Sequence, residues 1–135
     1  MRVFVDAAVL FSASRRGSLM EQFIRKVLTV AEGVTNAHAV EEARRNLALK
    51  FPESVAQLSK LITRMELVAH VVAFRDRALP AKDQPILGGA IAGRCTHLLT
   101  SDRRDFGRLF GKTVQGVKVV SPQMLAEELL ARAGN

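Results

Sequence analysis

Apolar positions along the chain follow two alternating rhythms. Continuous apolar runs suited to short strands cover Arg2–Val5 (apolar after its first residue), Val34–Thr35, Glu66–Phe74, His97–Thr100 and Val117–Val120. Between them apolar residues recur at helical spacing. Phe23, Ile24, Val27, Leu28 and Ala31 form one such set, and Val40, Ala43, Leu47 and Phe51 a second. Val55, Leu58, Leu61 and Ile62 form a third, and shorter helical stretches run from near Pro85 to Gly93 and around Phe106–Phe110. Boundary signals agree with this division. Ser18 and Glu21 make a capping box that opens the first of these helices, and Gly33 closes it. Asn36 is a cap for the next helix, and Pro52 interrupts it. Ser121-Pro122 start the last helix, with Pro in the tolerated first turn. Alternating strands and helices predict an α/β fold: a mainly parallel sheet of four or five strands, helices on both faces, and a single domain over 1–135.

Charge narrows the class of partner. The 135 residues include 20 Lys and Arg against 13 Asp and Glu, a net charge of +7. Such a balance favours an anionic partner, nucleic acid first and an acidic protein or membrane surface second. The apolar runs are too short to span a bilayer, so no membrane insertion is expected. Asp6 arrives before any signal-peptide core could form, and the single Cys95 has no internal disulfide partner. A cytoplasmic location fits these features. With no Trp and no Tyr, a base-stacking platform would have to rely on Phe, which disfavours that type of RNA binder.

The acidic residues carry the chemistry. The chain has five Asp: Asp6, Asp76, Asp83, Asp102 and Asp105. Asp6 follows the first strand directly, and Asp102 follows the His97–Thr100 strand within two residues. Asp83 lies just before a helix, and Glu41 and Glu42 lie in the first turns of another. Parallel strands place their carboxyl ends on one sheet edge, where sites of open α/β folds form. Two carboxylates about 4 Å apart repel by roughly 4 kcal/mol at an effective dielectric of about 20. A hard divalent cation removes that cost, so a carboxylate cluster in a basic chain points to metal-assisted chemistry on a phosphate. Against this, a single acid at a strand end is more often a turn former or cap. Asp76, between Arg75 and Arg77, reads as a solvated loop acid, and Glu21 belongs to the capping box. Glu41 can pair with Arg45, and Arg44 and Arg45 can pair with nearby Glu or with acids of a partner. Glu66, Glu127 and Glu128 have no partner identifiable from the sequence. The set left for function is Asp6, Glu42, Asp83, Asp102 and Asp105. His38, His70 and His97 lack zinc-ligand spacing, Cys95 reads as a packed small residue, and Gly88-Gly89 as a helix-packing pair.

Four segments, in order, resemble the PIN domain, the metal-dependent nuclease family that includes the VapC-type toxins. They are Arg2-Val-Phe-Val-Asp6-Ala-Ala-Val-Leu-Phe-Ser-Ala13, Val40-Glu41-Glu42-Ala-Arg-Arg-Asn-Leu47, Lys82-Asp83-Gln-Pro-Ile-Leu-Gly-Gly-Ala-Ile-Ala92, and His97-Leu-Leu-Thr100-Ser-Asp102-Arg-Arg-Asp105-Phe106. The resemblance covers nearly the whole chain. The second acid stands five residues before a leucine, which points to Glu42 rather than Glu41. The resemblance implies a PIN-like α/β/α sandwich that hydrolyses RNA phosphodiesters with Mg²⁺ or Mn²⁺, one or two ions. It implies that Asp6, Glu42, Asp83 and Asp102 hold the metal, with Asp105 a further ligand and Thr100 orienting a carboxylate or water. It also implies an antitoxin protein as partner and a homodimer. One departure stands out: members commonly carry a small hydroxyl residue and an Asn after the first Asp, and here these are Ala7 and Ala8. Arg15, Arg16, Arg103, Arg104 and Arg108 are candidates for gripping phosphates, from the charge argument. Two other readings compete. The replacements Ala7 and Ala8 suit a degenerate PIN-like module that binds RNA or protein without cutting. A response-regulator receiver domain would need a phosphoacceptor Asp at the end of a central strand, and Leu67–Phe74 offers none.

Overall fold

The computed structural model describes residues 1–73 and 79–134. Six strands form one sheet in the order β3-β2-β1-β4-β6-β5. These are β1 (Arg2–Val5), β2 (Glu32–Thr35), β3 (Glu66–Leu67), β4 (His97–Leu99), β5 (Thr113–Val114) and β6 (Val117–Val120). All neighbours pair in parallel except β5 with β6. Among the described residues the helices are α1 (Ala7–Ala13), α2 (Leu19–Val30), α3 (Ala37–Lys50), α4 (Val55–Ile62), α5 (Gln84–Ala92), α6 (Arg103–Phe106) and α7 (Pro122–Ala133).

The crossovers β1→β2→β3 advance in one direction across the sheet, and β3→β4→β6 advance in the other. Right-handed crossovers then place α1–α4 on one face and α5 and α6 on the other. The packing agrees, since α1 lies against α2 and α3, while α5 lies on β1, β2 and β4. The direction reverses between β1 and β4, which is where open α/β sheets carry their sites. The mainly parallel α/β sandwich is the expected one. A receiver domain would have the order 2-1-3-4-5, which this sheet does not.

The sheet centre is apolar on both faces because both are covered. Phe4 pairs with Leu98 and with Val34, and Leu98 pairs with Val119. All four are fully buried and, being in register, share one face. Local signals set the helix starts. Ser18 accepts from the Glu21 amide, Asn36 from Ala39 and Ser121 from Met124, each at 3.0–3.1 Å. The Glu21 side chain reaches the amide of Gly17 rather than that of Ser18.

Several boundaries differ from the sequence reading. The sheet has six strands rather than four or five, because a tight hairpin folds β5 back onto β6. Gln115 (φ 47°) and Gly116 (φ 87°) turn it, a left-handed pair that matches the twist of the flanking strands. Helix α2 stops at Val30, and Gly33 lies inside β2, where a Cβ would collide with Leu28. Among the described residues of the Glu66–Phe74 run, only Glu66–Leu67 are strand. The partner strand β2 ends at Thr35, so the backbone finds other acceptors: Val68 donates to Thr35 and Val72 to Gly88 of α5. Phe74 and Asp76 lie outside the described residues. The residues after Asp6 form α1, a helix that the apolar rhythm did not single out.

Candidate active site

Three carboxyl ends meet at the reversal point. Asp6 follows β1 at once and caps α1, its Oδ1 accepting from the Ala7 amide at 2.6 Å. Its backbone amide donates to Leu99 of β4 at 3.1 Å, which ties the two strand ends together. Thr35, the last residue of β2, donates its hydroxyl to Val5 at 2.9 Å and ties in the third.

Thr100 joins two of the acids. Its hydroxyl donates to Asp6 Oδ2 at 2.6 Å and accepts from the Asp102 amide at 3.1 Å. Side-chain support for Asp6, missing at Ala7 and Ala8, therefore comes from β4 and from a backbone amide. Asp102 in turn caps α6 by accepting from the Asp105 amide at 3.0 Å. The segment Thr-x-Asp-x-x-Asp is thus a closed hydrogen-bonded turn. It places Asp105 one helical turn after Asp102.

Asp83 comes from a different direction. It ends a 3₁₀ turn (Ala81–Asp83) that leads into α5, and Pro85 occupies the tolerated start of that helix. Two contacts from α3 hold this turn. Asn36 Nδ2 donates to the Pro85 carbonyl at 3.2 Å, and His38 Nε2 lies 3.1 Å from the Lys82 carbonyl. A carbonyl only accepts, so His38 carries its hydrogen on Nε2. Asp83, Asp102 and Asp105 each offer an oxygen, and these atoms lie within 4.8 Å of one another.

Asp6 is only 4% exposed and Asp83 only 6%. Burial pushes the Asp6 carboxyl up to about 6, against the hydrogen bonds from Thr100 and Ala7, and the charges of Glu42 and Asp102 add to the rise. Burial also raises Asp83, to about 7, and Asp105 beside it adds to the effect. Asp105 moves the other way, lowered by its hydrogen bond with Asp83 and by Lys82. Asp83 and Asp105 lie close enough that the charge on one disfavours the charge on the other. Oδ2 of Asp83 is buried and accepts no hydrogen bond from the described residues. An orphaned buried acceptor beside two more carboxylates is a donor set that fits a hard divalent cation.

Not every candidate sits in this cluster. Asp6 lies beside it, linked through Thr100. Glu42 is half-buried on α3 and close enough to act on the charge of Asp6. Arg103, Arg104 and Arg108 are exposed beside the acids, the first two on α6 and the third in the following 3₁₀ turn. Arg15 and Arg16 are elsewhere. They follow the far end of α1, and the Arg15 guanidinium lies 3.2 Å from the centroid of the Phe51 ring. Phe51 caps the C-terminal end of the 14-residue α3, about 20 Å from that helix's start at the acid edge. Glu41 binds Arg44 rather than turning to the site. Sequence reasoning missed two residues here, Asn36 as a brace for α5 and Lys82 as a cation among the acids. Lys82 Nζ lies 3.2 Å from Asp105 Oδ2.

The other acids and histidines have structural partners. Glu66 joins Glu32 in holding Arg2, each at 2.6 Å. Glu128 pairs with buried His97 at 2.8 Å and with Lys118 and Arg132, fastening α7 to the sheet. Gly88 and Gly89 are packing glycines: a Cβ on the first would meet the Val72 carbonyl, and on the second the Asn36 amide. Among the described residues no helix is long and apolar enough to cross a membrane.

No family model and no curated protein matches the sequence. Solved structures do match it in shape. A chain of VapBC2 from Rickettsia felis, bound to a DNA fragment from their promoter, aligns over 90% of this chain and 98% of its own, with TM-score 0.62 and 12% identity. VapC20 of Mycobacterium tuberculosis, a sarcin-ricin loop cleaving toxin, aligns over 84% and 97%, with TM-score 0.59 and 15% identity. VapBC-1 from nontypeable Haemophilus influenzae aligns over 91% and 99%, with TM-score 0.58 and 10% identity. At such identities the likeness is one of shape, and with the sheet order and the acid edge it makes the fold of this chain that of a VapC-type PIN domain.

Proposed function

We propose that the chain is a divalent-metal-dependent endoribonuclease and the toxin half of a toxin–antitoxin pair. The observation that carries this reading is the convergence of Asp83, Asp102 and Asp105 at the sheet's reversal point, with buried Asp6 joined to them through Thr100. The similarity in fold to a toxin that cleaves the sarcin-ricin loop supports it.

In this reading Asp6, Asp83, Asp102 and Asp105 hold Mg²⁺ or Mn²⁺, and Glu42 contributes through water. The cation, when bound, makes water a better nucleophile at phosphorus and stabilises the departing oxygen. Hydrolysis joins the water oxygen to phosphorus, breaks one P–O ester bond and leaves a proton on the departing oxygen. Thr100 keeps Asp6 oriented. Asp102 keeps the following turn closed, which fixes Asp105. Arg103, Arg104 and Arg108 hold flanking phosphates, and their exposure at the edge of the acids suits a polyanion lying across it. An antitoxin segment and a second copy of the chain are the protein partners this reading implies.

The test is cleavage of a mixed structured and single-stranded RNA pool in Mg²⁺, Mn²⁺ or EDTA. The wild-type protein should cut only with metal. Asp102→Asn and Asp6→Asn, purified in parallel, should lose cutting by about 100-fold or more while keeping their circular dichroism. Equal cutting by all three proteins would end the assignment. Metal-independent RNA binding without turnover would favour instead the degenerate binding module that Ala7 and Ala8 suggest.

A further inference from the structure

A cation already stands among the acids. The Lys82 ammonium pairs with Asp105 at 3.2 Å, and among the described residues no other ion pair reaches Asp83, Asp102 or Asp105. Arg103 and Arg104 are on the same helix as Asp105 yet form no ion pair with it. The Lys82 backbone is fixed on two sides, by His38 at its carbonyl and by the 3₁₀ turn in which Asp83 donates to Pro80 at 2.9 Å. Its side chain is 65% exposed while that of Asp105 is only 9% exposed. The ammonium therefore reaches inward from the rim on a flexible stem and retains access to water.

We propose that Lys82 is the resident counter-ion of the acidic cluster and the cation that a divalent metal displaces when it loads. The inference rests on the metal-nuclease reading only for the identity of the displacing ion. Three carboxyl groups with oxygens inside 4.8 Å repel one another when ionised. The Lys82 ammonium lies against one of them and offsets that repulsion. A metal at Asp105 brings two positive charges to the place where Lys82 supplies one, so the two cations compete for the same oxygen. Loading then frees the ammonium at the rim. A lysine suits this exchange better than an arginine would, because it makes a single point contact and leaves by simple rotation of its stem. Lys82 acts on the metal through Asp105 and is in that sense a positioning residue.

The test compares the wild-type full chain with Lys82→Met and Lys82→Arg. Mn²⁺ binding is measured by calorimetry, and melting is measured without metal. Lys82→Met should bind Mn²⁺ about fivefold more tightly or better, because no ammonium has to leave. Without metal it should melt about 1–4 °C lower at neutral pH, because the acids lose their counter-ion. Lys82→Arg should melt near wild type without metal and bind Mn²⁺ no more tightly than wild type, because its guanidinium still has to leave. A purely solvated Lys82 predicts no change in either quantity, and that result overturns the proposal. Weaker Mn²⁺ binding by Lys82→Met overturns it too. If neither protein binds Mn²⁺, the metal reading fails separately and displacement with it. The metal-free melting comparison then decides the counter-ion role alone.

Discussion

Thr100 and Asp6 show how a buried acid is kept usable. Both oxygens of Asp6 accept a short hydrogen bond, yet each retains a lone pair for a cation. Thr100→Val removes the hydroxyl and keeps the shape. It should cost about 1–3 kcal/mol of stability, since a buried carboxylate loses its partner. It should also weaken Mn²⁺ affinity about 10–100-fold, measured by calorimetry. The raised carboxyls give a pH signature. Asp6 titrates near 6 and Asp83 near 7 in the fold, against 3.8 ordinarily. Between about pH 4 and 7 the folded chain therefore keeps protons that the unfolded chain has released. Stability must fall as pH rises through that window. Metal-free protein should melt at a higher temperature at pH 5 than at pH 8, and saturating Mn²⁺ should narrow the gap. Asp6→Asn should flatten the slope, and a melting temperature that rises from pH 5 to 8 would contradict the account.

At the level of elements, legibility tracked the range of the interaction that decides each feature. The caps Ser18, Asn36 and Ser121 were readable because a cap bonds within three residues. The placement of Asp6, Asp83 and Asp102 was readable because each stands at the start of a helix. The partners of Glu66 and Glu128 were not, because Arg2 and His97 reach them only after the sheet has formed. The short α1 was not legible, since seven residues give periodicity little room. The extent of β3 was misread because Val68–Ala73 has the composition of a strand, but β2 ends at Thr35 and leaves it no strand to pair with. Where that segment crosses α5 it needs Gly88. Gly88→Ala puts a methyl against the Val72 carbonyl and the Val71 side chain. The substitution should cost about 1–3 kcal/mol in chemical denaturation. It should also raise hydrogen exchange at the Val72 amide, which donates to Gly88.

Across the whole molecule, an apolar centre carries an acidic point in a basic surface. Phe4 lies at the centre of the sheet, paired with β2 and β4 and fully buried. Phe4→Ala should cost about 3–5 kcal/mol in denaturant melts. The net charge of +7 acts at longer range. On the proposed reading, RNA affinity measured in EDTA should fall steeply with salt. Replacing Arg103 and Arg104 together should lower the slope of log affinity against log salt by about one to two. Replacing Arg16, which follows the far end of α1, should leave that slope alone.

The pairing of Val3 with His97 sets when these properties arise during synthesis. Asp6 leaves the ribosome 94 residues ahead of Thr100, whose hydroxyl orients it, and further still ahead of the Asp102 and Asp105 carboxylates. Closing so long a loop is slow as well as late. A nascent chain released before β4 has emerged thus holds Asp6, Glu42 and Asp83 without Asp102, Asp105 or the Thr100 hydroxyl. The acidic edge is complete only once β4 and the turn after it have emerged and joined β1.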